Sequence, residues 1–163
     1  MLLFLLMHSG YVFGTLSALV CGRGALSRGL SAVGAVLGSS AGFALGVTAL
    51  ASDGLIQFSI PSFLPLTGFA LRLDGLGAFF LIVIGLVGAS ASLYGVGYSA
   101  AYEGRYSLRM LGAMLNLLLL AMSLQVMADN AMTFLLMWEA MSLSAYWLVL
   151  TQNDQPGTVR AAN

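Results

Sequence analysis

Residues 131–151 read AMTFLLMWEAMSLSAYWLVLT, a run long and apolar enough to cross a bilayer as one helix. Near its middle stands one carboxylate, Glu139. An ionisable side chain at that depth costs about 3 kcal/mol by insertion scales, so it is kept where it faces a packed bundle or a wet cavity. In such places it serves ions or protons. Helical spacing puts Met132, Leu135, Leu136, Ser142, Leu143 and Tyr146 on the same face as Glu139. Of these, Ser142 and Tyr146 can form hydrogen bonds. The expectation is a Glu139 buried in a bundle, acting as a protonatable group of an ion-conducting membrane protein.

The rest of the chain agrees with a membrane setting. Its 163 residues are 60% hydrophobic and 7% charged, whereas soluble domains carry about 25% charged residues. Six arginines balance six acidic residues and there is no lysine, which leaves no basic face for nucleic acid. The single Cys21 excludes an internal disulfide, and one histidine with scattered carboxylates gives no metal-ligand spacing. No cofactor is expected, and any redox chemistry belongs to another chain.

Hydropathy marks an all-α integral membrane protein with helices at about 1–20, 30–51, 76–100, 108–127 and 131–151. The first is read as a retained span, because no Lys or Arg precedes it as in a secretory signal. His8 inside it either titrates or, more simply, bonds to a neighbouring helix. Gly34, Gly38, Gly42 and Gly46 recur every fourth residue in the second span, and Gly10 and Gly14 repeat the spacing in the first. Such stripes bare the backbone for close helix packing. Asn116, near the centre of the fourth span, is either a tie between helices or part of a polar path.

Between the second and third spans the chain alternates apolar and polar residues at 56–60 and 71–74, with Pro61 and Pro65 between them. This predicts a short extended or hairpin segment on the membrane surface, with Asp74 capping the third helix and Asp129 the fifth. Arg72 and Asp74 are placed to pair locally. With the N-terminus outside, the inner loops and tail hold Arg23, Arg28, Arg105, Arg109 and Arg160, and the outer loops hold only Arg72. That bias predicts an N-out, C-in orientation.

Several stretches resemble a known family: FALRLDGLGAFFLIVIGLVGASASLYGVGY at 69–98, YEG at 102–104, MADNAM at 127–132 and WEAMSLSAYWLVL at 138–150. They look like the antiporter-like subunits of respiratory complex I and its relatives. Within that group the wording most resembles component B of hydrogenase 4 and the equivalent formate hydrogenlyase membrane subunit. The resemblance implies a longer all-helical subunit of about fourteen spans containing two inverted five-helix repeats. Residues 1–163 then match its N-terminal portion, a single membrane domain of a longer or split subunit. It also implies that Glu139 matches the family's buried proton-channel glutamate, whose charge is modulated by a lysine on a later helix. The segment at 52–74 matches the outer-face hairpin region that links neighbouring subunits. Because this chain has no lysine, the expected partners are other membrane subunits that supply the missing buried lysines, together with the lipid bilayer of the inner (cytoplasmic) membrane. The functional expectation is a proton-translocating subunit of a hydrogenase- or quinone-linked oxidoreductase complex. Part of a Mrp-type sodium/proton antiporter, or a non-conducting membrane anchor, are the alternatives.

Overall fold

A computed structural model of the protein describes residues 1–21, 25–52, 56–60, 68–100 and 106–151. Five helices in it are long and apolar enough to cross a membrane: α1 (Leu2–Val20), α2 (Ala25–Ser52), α3 (Gly75–Ala100), α4 (Leu108–Gln125) and α5 (Ala131–Leu150). Two strands, β1 (Ile56–Ile60) and β2 (Phe69–Leu73), pair antiparallel between α2 and α3. The hairpin that alternation predicts is therefore present. The turn between the strands, with Pro61 and Pro65, lies outside the described residues, as do Arg23, Arg105 and the tail with Arg160.

α2 starts at Ala25, not near residue 30. The polar-looking ALSRG carries good helix formers around one glycine, and Gly29 is tolerated inside the first turns.

Close glycine contacts set the order and direction of the helices. A Cβ added at Gly10 would lie 2.7 Å from the Gly38 nitrogen, and one at Gly34 would lie 2.5 Å from the Gly14 Cα. As α1 numbers rise, α2 numbers fall, so the two run antiparallel, backbone against backbone. Further along α2, a Cβ at Gly46 would meet the Ala78 carbonyl at 2.6 Å, and one at Gly85 would meet the Ser39 carbonyl at 2.6 Å. The same α2 thus takes α1 at one height and α3 at another. Without a hydrophobic drive in lipid, close van der Waals contact of this kind is what holds helices together. Met7, Tyr11, Leu45, Leu81 and Leu119 fill the space between them.

The hairpin is clamped to the helix bundle by the turn between α4 and α5. β2 sends Leu71 and Leu73 into the core and leaves Arg72 exposed. Its free edge pairs with that turn: the Arg72 N–H donates to the Met127 carbonyl at 2.7 Å, and the Asp129 N–H donates to the Ala70 carbonyl at 2.9 Å. Asp74 caps α3, its Oδ1 accepting from the Gly77 N–H at 2.8 Å. The expected Arg72–Asp74 pair is replaced by Arg72 Nε to Asp129 Oδ1 at 3.1 Å, since Asp74 is engaged at the cap.

The cap of α5 is Asn130, not Asp129. Its Oδ1 accepts from the Thr133 N–H at 2.7 Å while its Nδ2 donates to the Gly68 carbonyl at 2.7 Å. Asp129 is drawn off by Arg72, leaving its neighbour to face the helix. Asn130→Ala removes both bonds and is expected to cost about 1–2 kcal/mol, against near-neutrality for Asp129→Asn. The check is the detergent-unfolding midpoint of each variant.

Candidate functional site

α5 lies at the edge of the bundle, mainly against α4 and the β2 clamp. Its buried residues are Thr133 and Ser144, which lie on one stripe with Met137, Ala140 and Leu148. Ser144 Oγ donates back to the Ala140 carbonyl at 2.6 Å, so its hydroxyl is satisfied within the helix. This stripe is the side that α4 covers.

Glu139 sits on the other side. It is exposed, and so are Ser142 and Tyr146 on its face, together with Leu135, Leu136 and Leu143. The three polar groups expected together are thus on one face, and the chain's own helices leave that face uncovered. Among the described residues Glu139 has no hydrogen-bonding or charged partner.

Asn116 is placed elsewhere. It is fully buried where α4 crosses α1 and α2. Its Nδ2 donates to Ser31 Oγ at 3.0 Å and to the Gly112 carbonyl at 2.9 Å. Its Oδ1 has no donor and rests against Gly14, where an added Cβ would come within 2.1 Å of it. The structure does not bring Asn116 to the Glu139 face. One further buried polar contact lies deeper along the same seam, Tyr11 Oη to Ser39 Oγ at 3.2 Å.

His8 turns inward within its own helix. Its Nδ1–H donates to the Phe4 carbonyl at 2.6 Å, its ring stacks near Phe4 at 4.1 Å, and Nε2 is buried without a partner. Among the described residues no three His, Cys, Asp or Glu side chains gather as a metal site. Sequence reasoning missed the Asn130 clamp, for which Asn three residues before Thr133 was the available signal.

Five apolar spans, glycine-packed around interhelical polar ties and carrying one mid-span carboxylate, define a multi-pass membrane protein. No protein-family model matches the chain. It is 33% identical over 147 residues to hydrogenase-4 component B of Escherichia coli, covering 89% of this chain and 22% of that protein. It is 33% identical over 149 residues to NADH-quinone oxidoreductase subunit L of Mycobacterium tuberculosis, covering 83% and 23%. Na(+)/H(+) antiporter subunit A1 of Staphylococcus aureus matches at 31% over 99 residues, 58% of this chain and 11% of that protein. The chain belongs to the superfamily of antiporter-like membrane subunits shared by complex I, the Mrp antiporters and the group 4 hydrogenases. It spans about a fifth of the length of the first two of these relatives.

Proposed function

We propose that the chain forms part of a proton-translocating membrane subunit of a hydrogenase- or quinone-linked oxidoreductase complex, with Glu139 as its proton-path carboxylate. The observation that carries this reading is a carboxylate in mid-span on a face that the chain's own helices leave bare. Lipid is a poor host for that group, so further helices belong over it. Those helices come from the rest of a longer or split subunit, or from a partner subunit. They also supply the buried lysine that this chain lacks.

The chemistry follows from burial and charge. A carboxyl enclosed by apolar helices favours its neutral, protonated form. A cation brought near it favours the carboxylate and releases the proton. Ser142 and Tyr146, close on the same face, can hold the water or hydroxyl that receives it. Asn116 we assign to the tie between α1, α2 and α4. The subunit sits in the inner membrane, N-terminus outside, as the arginine distribution favours.

Dicyclohexylcarbodiimide, an apolar reagent for neutral carboxyl groups, tests this in the assembled complex. Modification of Glu139 at neutral pH, with loss of proton uptake in step with labelling, is the expected result. Full labelling with proton uptake intact would remove the proposed role. The similarity to an antiporter subunit favours a second reading, a part of a sodium/proton antiporter. Proton uptake that requires sodium would select it.

A further inference from the structure

A crevice opens between α2, α3 and α4 on the side of the bundle away from the Glu139 face, enclosing about 390 Å³ including its mouth. Arg28 near the start of α2, Ser99 near the end of α3 and Leu108 at the start of α4 line one end, and Asn116 closes the other. Its polar side chains already have partners within the protein. Ser92 Oγ donates to the Gly88 carbonyl at 2.6 Å and Ser99 Oγ to the Val96 carbonyl at 3.3 Å. The Asn116 amide donates to Ser31 and Gly112. The remaining walls are hydrocarbon, from Ala32, Ala35, Val96, Leu111 and Leu115. At Gly95 an added Cβ would meet nothing within 4 Å, so the crevice is open there.

We propose that this crevice binds one anionic phospholipid, with an acyl chain between α3 and α4 and the phosphate at Arg28. Apolar walls at membrane depth draw hydrocarbon, and a free phosphate ion has no reason to enter them. A guanidinium carries five donors in a planar fork that matches phosphate oxygens. Basic pockets between membrane helices at the membrane surface hold anionic headgroups for this reason. A further helix, about 10 Å across, is too wide for the space. The proposal does not depend on Glu139.

The test reconstitutes the full chain in phosphatidylcholine vesicles containing a trace of phosphatidylglycerol with a photoactivatable diazirine in its acyl chain. Phosphatidylcholine carrying the same acyl chain is the control, and crosslinks are mapped by peptide mass spectrometry. Crosslinks at Val96, Leu111 or Leu115 are expected, with roughly five-fold preference for the anionic headgroup. Arg28→Gln should bring that preference to about unity. Gly95→Leu should abolish the crevice crosslinks while those on the outer faces persist and the helical circular dichroism is unchanged. Equal labelling by both headgroups in the native chain would overturn the proposal. So would the absence of crevice crosslinks, or their survival in Gly95→Leu.

Discussion

Glu139→Gln is expected to lower proton uptake by the assembled complex roughly a hundredfold, the low end of what a positioned acid–base group contributes. Glutamine keeps the length and hydrogen-bonding capacity of the side chain and loses only the exchangeable proton. The described helices should tolerate the change, because Glu139 is exposed on α5 and touches no partner among the described residues. The bundle's stability should move by less than about 0.5 kcal/mol. Loss of uptake would then come from missing chemistry, and assembly should be intact. Glu139→Asp retains a carboxyl one methylene shorter and should keep a measurable fraction of the activity. Initial rates of proton uptake, normalised to the amount of assembled complex, make the measurement. Full uptake in Glu139→Gln would rule the carboxylate out of the path.

The existence and order of the five spans were legible in the sequence because lipid demands long apolar runs, and the hairpin because alternation survived at both strands. Local competition was not legible. Asp129 and Asn130 are both good caps, and only the approach of Arg72 from β2 decides which one faces α5. Arg72 likewise had Asp74 nearby in sequence, but Asp74 was committed to the Gly77 N–H. Nor did hydropathy separate the two sides of α5. Leu135 and Leu143 beside Glu139 are as apolar as the residues facing α4, because lipid and helix partners ask for the same surface. Glu139 alone marks the bare side as one meant for protein. The crevice at Gly95 was invisible for a related reason, since a glycine that faces space and a glycine that faces backbone read alike in a sequence.

That last distinction yields a contrast within one residue type. Gly34→Leu is expected to cost about 3 kcal/mol, the upper range for overpacking, and to prevent the chain from accumulating as a folded bundle. A Cβ at Gly34 would lie 2.5 Å from the Gly14 Cα, 2.6 Å from its nitrogen and 2.7 Å from the Gly10 carbonyl. All three are backbone atoms, so no side-chain rotation relieves the overlap and α1 must back away from α2. The retreat also carries Gly14 off the Asn116 carbonyl and loosens the crossing of α1, α2 and α4. Gly97→Leu on α3 makes the opposite case. A Cβ there meets nothing within 4 Å, and replacing glycine inside a helix recovers up to about 1 kcal/mol of propensity. It should be neutral or slightly stabilising. Unfolding of the two variants in mixed micelles of rising dodecyl sulfate content, followed by circular dichroism, gives the comparison. Equal midpoints would mean that the α1–α2 glycine contact does not hold the bundle together.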